Sequence, residues 1–598
     1  MSPRLRLAAL TILAASAPAT TFAQTPTQAP AQPAAASPAP SAADVRLRAL
    51  YEREWAWRLN EYAQREVDGR SQATDRLPRV DPASQRARLA YWEGVLRELD
   101  AIPVAELSQA ERLNADVFRE SVTAMANEIR FRDYEIPFNS DSFFWTIGSW
   151  SRLTTAEDYR RYIARLRDIP RYFGEHVANM RAGLARGFSL PRVSITGRDA
   201  TIEPYLAEGD DNPLYSPFKE MSASIPAAER DALRAEANAA IRAAAIPAYR
   251  DLLAFIRTEY LPRTRTTLGA SQMPNGEAYY RAKIREFLTL DMAPQEIHDT
   301  GLREVARIRA EMEETRQRAG FEGDLAAFIR FLRTDPQFYA KTPDELMGVA
   351  AYVVLRAQGR LAETIGTLPR FRHGVVPVPD EIAPIYTAGR GGLQNCMFNT
   401  YNLPARPLYA IPALALHECT PGHSFQAALA LEGPDLPRFR QETYFSAFGE
   451  GWGLYTEWLG KEMGIYRTPY EDFGRLTYEM WRAARLVIDT GIHAYGWDRD
   501  RALAYLRDNT ALSEHEINTE IDRYISWPGQ AVAYKLGEMQ IRRHRAEAEA
   551  ALGSRFDQRR FHDAILALGS VPLSTLEERM RRFIAEEQAR PTPASASR

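Results

Sequence analysis

Between Leu414 and Gln426 the chain reads LALHECTPGHSFQ, which places His417, Glu418 and His423 within seven residues. AFGEGWGLYTEWLG follows from Ala447 to Gly460. Imidazole and carboxylate are ligands that Zn²⁺ takes, and a catalytic zinc site keeps three protein ligands and one open position. His417, His423 and Glu450 make such a triad, and one Zn²⁺ per chain is the cofactor it calls for. Glu418 directly follows the first histidine, where a metalloprotease helix carries its general base. A carboxylate there takes a proton from water whose pKa the metal lowers toward ~7, and returns it to the leaving group. Glu457 lies seven residues beyond Glu450 on the same helical face, and reads as an outer carboxylate supporting the ligands.

The spacing departs from H-E-x-x-H, in which both histidines share one helix face. Here they are six residues apart, roughly 240° around a helix of about 3.6 residues per turn. A straight helix cannot aim both at one ion. Pro421 and Gly422 lie between them. Proline removes a backbone donor and glycine opens dihedral space. Two outcomes stay open at this level. Either a bulge carries His423 back round, or the helix ends at Thr420 and His423 begins another element.

H-E-x-x-P-G-H followed by E-G-W-x-L-Y-x-E resembles the bacterial family called domain of unknown function 885. That family is similar to the gluzincin metallopeptidases, angiotensin-converting enzyme and carboxypeptidase Taq among them. RLVIDTGIHAYGW (Arg485 to Trp497) and DRYISWPGQAVAYKLG (Asp522 to Gly537) extend the resemblance. It covers the last third of the chain strongly and the rest in general helical character. It implies a mainly α fold, with helices in two lobes around a deep cleft and a minor β-sheet beside the metal helix. It also implies short peptides as substrates, taken in a carboxypeptidase or dipeptidyl-carboxypeptidase mode. R-Y-x-S-(aromatic)-x-x-Q, from Arg523 to Gln530, resembles the stretch of angiotensin-converting enzyme whose tyrosine stabilises the tetrahedral intermediate. Tyr524 is therefore the implied oxyanion donor, with Tyr534 behind it, since a phenol can donate where negative charge develops. In gluzincins a sheet edge near the active helix pairs with the substrate backbone. CMFNTYNL (Cys396 to Leu403) lies just before the metal motif, so Asn399 or Tyr401 is a candidate for lining the cleft.

Other chemistry is read from the residues directly. Asp489 and His493 are four apart on one helix face, so Asp489 could orient His493 as a further donor to the oxyanion or substrate. A structural pair near the helix end at Gly496 is the competing reading. Arg523 and Lys535 are candidates for a substrate carboxylate, which a planar guanidinium grips with two bonds. His176, His298, His373, His515, His544 and His562 sit in plain helical or loop context and read as structural or exposed.

The elements that must hold these groups are helical. Leu47, Leu50, Tyr51, Trp55 and Leu59 recur at three- and four-residue steps, an amphipathic stripe. Ser108-x-x-Glu111, Thr154-x-x-Glu157, Ser513-x-x-Glu516 and Ser574-x-x-Glu577 predict capping boxes. Thr342-Pro343 puts proline at a first helical position. A helical tract from Ala227 to Tyr260 is expected to be interrupted near Pro247. Strand signals are few, GVVPVP (Gly374 to Pro379) and CMFNTYNL being the best.

The 598 residues are 45% hydrophobic and 26% charged, with net charge −3. That supports a large buried core and lacks the basic excess of a nucleic-acid binder. Arg4, Arg6, LAALTILAASA (Leu7 to Ala17) and the small residues near Ala23 predict a signal peptide over residues 1–23. No cysteine stands at the cleavage point, so lipid attachment is not expected. Residues 24–43 and 591–598 are rich in Pro, Ala, Ser and Thr and read as a linker and a tail that cannot bury a core. One catalytic domain is expected over 44–590, with a helical lobe to about 375 and a zinc-site lobe from about 376. No later stretch is long and apolar enough to cross a bilayer. The protein is thus expected in the periplasm or secreted, without stable membrane insertion once the signal is cleaved. Cys396 and Cys419 permit a disulfide beside the motif. Two other functions compete with the peptidase: a zinc amidase on a non-peptide or cell-wall substrate, and a non-catalytic periplasmic binding protein with a degenerate metal site. The intact Glu418 counts against the last.

Overall fold

The computed structural model describes residues 40–591 except 141, 148–152, 381 and 434–435. The expected signal peptide, nearly all of the linker and the tail lie outside the described residues. Ser41 opens the first helix, Ala42–Glu61, by a capping box. Its hydroxyl accepts from the Asp44 amide at 3.0 Å, and the Asp44 carboxylate accepts from the Ser41 amide at 3.2 Å. Leu47, Leu50, Tyr51 and Leu59 form its buried face, as the stripe predicts.

The fold is mainly α. Ser108, Thr342 and Ser513 cap their helices, Ser108 and Ser513 by the hydroxyl alone, without the reciprocal glutamate bond of the expected box. The box predicted at Thr154 sits one residue later, on Thr155 and Asp158, because Asp at the third position reaches back as Glu does. Ser574 caps nothing. The helix Leu573–Ala589 starts behind Pro572, and the Leu573 amide instead donates to Thr289 Oγ1 at 2.8 Å. A tertiary partner there replaces the local one. The tract from Ala227 is interrupted near Pro247 as expected, by a π turn and not by a loss of helical structure. It runs on through π turns at Ile241–Ala245 and Ile256–Tyr260, which end just before Pro247 and Pro262. The wider turn accommodates a residue that brings no amide donor.

Two small sheets complete the described secondary structure. Strands β1 (Gln64–Val67) and β2 (Arg70–Ala73) form a hairpin over Asp68-Gly69, both left-handed with φ 49° and 68°. That dipeptide is a hairpin signal, and the strand reading above passes over it. The second sheet comprises β3 (Gly374–Pro377), β4 (Gly389–Arg390) and β5 (Asn395–Phe398), in the order β3-β5-β4. β5 pairs parallel with β3 and antiparallel with β4.

Buried hydrophobic residues form two clusters. The larger runs from Ala43 to Ile129 and resumes from Phe188 to Phe583; the smaller uses Leu77 and residues from Phe138 to Tyr260. Residues on both sides of 375 share the larger core, so the expected division there does not separate two cores. Its axis is the helix Pro469–His493, buried at every residue from Asp472 onward. The helix Pro294–Arg318 approaches it so closely at Gly301 that a Cβ there would meet Leu486 Cβ at 2.7 Å. This buried axis carries the arginines and tyrosines that back the site.

Candidate metal centre

The helix Ile411–Glu418 is buried from Ile411 through His417, which sets His417 on a rigid, dry support. The helix ends at Glu418, and His423 opens the next, His423–Glu432. There is no bulge. The chain reverses between them through Cys419–Gly422, with a cis peptide at Thr420-Pro421. Gly422 lies so close to the preceding helix that a Cβ on it would sit 1.8 Å from the His417 carbonyl oxygen. Only glycine allows that return. Trp452 Nε1 donates to the Pro421 carbonyl at 2.9 Å, and the disulfide Cys396–Cys419 ties the reversal to β5.

The result brings His423 back beside His417. The ligand atoms of His417, His423 and Glu450 all lie within 4.8 Å of one another. Each histidine presents Nε2 to Glu450 Oε2 at 3.4 Å. Two imidazoles and one carboxylate around a single point fit one zinc-type cation. Glu450 comes from the helix Ser446–Leu459, which crosses under His417 at Gly453, where a Cβ would lie 2.8 Å from ring atoms Cε1 and Nε2. One turn on, Glu457 Oε1 accepts from His417 Nδ1 at 2.8 Å, which leaves Nε2 for the centre. This carboxylate partner occupies the position read for it.

The electrostatics match a cation site. Burial opposes a charged His417, but the carboxylates of Glu450 and Glu457 outweigh it and raise that imidazole to about 9. Against its own burial, Glu450 is held well below the usual carboxylate range by His423 and His417. A proton and a metal compete for one position. Glu418, beside His417 but outside the triad, accepts from the Gly391 amide through Oε2 at 2.5 Å.

The remaining candidates divide. Tyr534 faces the site, its ring stacked on that of His417 at 6.5 Å between centroids. Its hydroxyl is the acceptor for Arg523 Nη2 at 3.3 Å and for Gln530 Nε2 at 3.4 Å, so Arg523 stands beside it. Tyr524 does not face the site. Its hydroxyl is buried and accepts from Trp481 Nε1 at 2.7 Å and Arg485 Nε at 2.8 Å. His493 is equally committed. Its Nδ1 accepts from the Ala270 amide at 3.1 Å and its Nε2 donates to the Tyr524 carbonyl at 2.9 Å. Burial pushes it down to about 3, so it is a neutral structural histidine. Asp489 does not orient it. That carboxylate accepts from Tyr280 at 2.6 Å and from the Gly529 amide. Lys535 is buried among Glu304, Glu479 and Glu538, an internal ion cluster. Asn399 donates its amide to the carbonyls of Ala383, Tyr386 and Thr387, a loop staple. Tyr401 is exposed, and its backbone amide donates to Asn399 Oδ1 at 2.9 Å. β5 is the central strand, so its backbone is paired on both sides and the free edge beside Glu418 belongs to β4.

Three contributors carry no sequence signal in the metal motifs. The Gly391 amide reaches Glu418 from the turn after β4. Arg390, on β4, interacts first with the Tyr386 hydroxyl and more weakly with the charges of Glu418 and Glu450. Tyr444 faces Glu450, Tyr534 and Glu418, its hydroxyl folded against Gly449. Tyr444 stands six residues before Glu450, ahead of the helix that carries it.

A family model described as "Bacterial protein of unknown function (DUF885)" matches residues 63–580. The chain belongs to this family. No curated protein matches significantly. Among solved structures, a "putative lipoprotein" from Colwellia psychrerythraea superposes with TM-score 0.81 at 24% identity, over 91% of this chain and 98% of that one. A "putative lipoprotein of unknown function" from Shewanella oneidensis gives 0.65 at 17% identity, over 90% and 99%. At these identities the likeness is one of fold. No helix among the described residues is long and apolar enough to cross a membrane.

Proposed function

We propose that this DUF885 protein is a zinc-dependent metallohydrolase that cleaves short peptides, in a carboxypeptidase or dipeptidyl-carboxypeptidase mode. The observation that carries the reading is the convergence of His417, His423 and Glu450 within 4.8 Å, beside a carboxylate, Glu418, that is not a ligand. Mere binding has no use for a base in that position.

Bound Zn²⁺ supplies Lewis acidity and lowers the pKa of a coordinated water. Glu418 takes the proton through its Oε1, since Oε2 is anchored by the Gly391 amide, and returns it to the leaving amine. Glu457 keeps His417 in the tautomer that offers Nε2. Tyr534 and Tyr444, rather than Tyr524, donate to the developing oxyanion. The open edge of β4 pairs with an extended main chain, and Arg390 on that edge meets substrate acid groups. The likeness to gluzincins rests on the H-E-x-x-P-G-H and E-G-W-x-L-Y-x-E motifs. The N-terminal apolar segment and the lipoprotein titles of the fold neighbours support export to the periplasm or beyond.

The test is digestion of a mixed peptide library by mature protein of measured metal content, read by mass spectrometry, with a chelator and Glu418→Gln as controls. Chelator-sensitive loss of one or two carboxyl-terminal residues, absent from metal-loaded Glu418→Gln, is expected. Metal-loaded protein that cleaves no peptide would overturn the peptidase reading and point to a non-peptide or cell-wall amide. Protein that takes up no metal would overturn the hydrolase.

A further inference from the structure

The three helices that carry the triad are not held alike. Ile411–Glu418 is buried from Ile411 through His417, and Ser446–Leu459 is buried along most of its length. His423–Glu432 buries only Ser424, Phe425 and Ala428, and no side chain caps its first turn. A helix with so little buried surface sits at the low end of local stability. The direction of His423 therefore depends on the reversal that leads into it. Hydrogen bonds hold that reversal, from Trp452 Nε1 to the Pro421 carbonyl at 2.9 Å and from the Gly392 amide to Ser424 Oγ at 3.1 Å.

The covalent hold is the disulfide Cys396–Cys419. Cys419 directly follows Glu418, and its carbonyl accepts from the Phe425 amide at 3.0 Å, which makes it the corner of the reversal. Cys396 lies in β5, paired between β3 and β4. The chain leaving β4 supplies the Gly391 amide that anchors Glu418. The bond thus fastens the corner to the sheet that also places the base. Both cysteines are 0% exposed. The chain has two cysteines in all, so no other pairing within it competes.

We propose that this disulfide gates the metal centre: a chain kept in a reducing compartment does not hold His423 at the site, and export to an oxidising one assembles it. The inference rests on the metal reading of His417, His423 and Glu450. Thiols stay reduced in a cytoplasm and pair outside it. The step joins two thiols in one S–S bond, releases two protons and passes two electrons to an exchanging protein disulfide, which leaves as a dithiol. Exchange requires contact with a sulfur atom, and burial of both cysteines denies that contact once the chain has folded. The gate runs one way, and a peptidase gated so is inert until exported.

Zinc affinity, measured by competition with a chromophoric chelator, tests this on the mature chain in three forms. These are oxidised wild type, wild type refolded under a phosphine reductant, and Cys396→Ala/Cys419→Ala. Apparent affinity scales with the fraction of chains in the binding geometry, so a reversal displaced about nine-tenths of the time loses about tenfold. The two forms without the bond should show at least that loss, with unchanged helix content by circular dichroism, and reoxidation should restore the refolded sample. Folded oxidised protein should keep its zinc when the same reductant is added. In metal-free protein, amide exchange across residues 420–426 should quicken several-fold without the bond, while Ile411–Glu418 is unchanged. Equal zinc affinity or equal exchange with and without the bond would overturn the gate. So would loss of helix content in both forms that lack it, which would make the bond a support of the fold, or prompt zinc loss from folded oxidised protein under reductant. Oxidised protein that takes up no zinc would overturn the metal centre and the gate with it, so uptake by that form tells the two failures apart.

Discussion

Asp489 is fully buried in the axial helix, held by the Tyr280 hydroxyl at 2.6 Å and by the Gly529 amide at 3.2 Å from each carboxylate oxygen. Loss of water outweighs these bonds and pushes its carboxyl from 3.8 up to about 7. A carboxyl raised in this way favours the fold only while protonated. Its contribution is fully present below the unfolded pKa and falls away as pH rises to the folded value. The shift of about three units, at about 1.36 kcal/mol each, sets a ceiling of roughly 4 kcal/mol on what wild type loses between about pH 4 and pH 7. Asp489→Asn keeps the shape and an acceptor for Gly529 but cannot ionise. Urea midpoints followed by circular dichroism should therefore be nearly equal for the two proteins at pH 4. They should diverge by up to several kcal/mol, in favour of the variant, by pH 8. A difference that does not change with pH would refute the reasoning, as would a variant less stable at pH 8, which is how an ionised, well-paired carboxylate behaves. The same variant bears on catalysis. Asp489 makes no bond to His493, so turnover of metal-loaded Asp489→Asn should stay within about twofold of wild type, well under the ~10²-fold cost of losing a general acid or base.

Glu457→Ala should weaken metal binding by about 10- to 100-fold, the usual cost of removing a histidine's carboxylate partner; unchanged affinity in a metal titration would mean that His417 is oriented by something else. Gly453→Ala places a methyl 2.8 Å from the His417 ring, so metal content should drop while helix content by circular dichroism is kept, and a fully loaded variant would contradict the packing. Tyr524→Phe strips the acceptor from Trp481 Nε1 and Arg485 Nε, which should cost about 1–3 kcal/mol of stability and leave kcat/KM near wild type. Tyr534→Phe and Tyr444→Phe should instead lower kcat more than they raise KM; the reverse assignment, with Tyr524 carrying the kcat loss, would restore the family-based choice.

The cluster of His417, His423 and Glu450 and its outer carboxylate were legible because candidate ligands announce themselves by type. Histidine and glutamate inside apolar helices have few other reasons to be there, and a seven-residue step keeps Glu450 and Glu457 on one face. Helix class and most caps were legible for a similar reason, since periodicity and capping are local. Ser574 marks the limit, because a hydroxyl from Thr289 supplies what the local pattern was read to supply. Tyr524 against Tyr534 marks another. Both lie in one motif-bearing stretch, and residue type does not say which way each points. Tyr524 closes a helix that turns it toward Trp481 and Arg485, whereas Tyr534 opens the next helix beside His417. The two-residue strand β4 is too short for alternation to reveal, so the neighbouring β5 was credited with the free edge.

By itself the sequence singled out His417, His423 and Glu450 as a candidate cation triad and Glu418 as the candidate base, since those properties belong to side-chain chemistry over short spans. It left open how histidines six apart meet. That was decided by the reversal at Cys419–Gly422, by Gly422 against the His417 carbonyl, and by Trp452 and the disulfide that hold the turn. Tertiary structure alone also brought Gly391, Arg390 and Tyr444 to the site. These groups come together from distant positions in the chain, and their directions follow from packing, which no local period records.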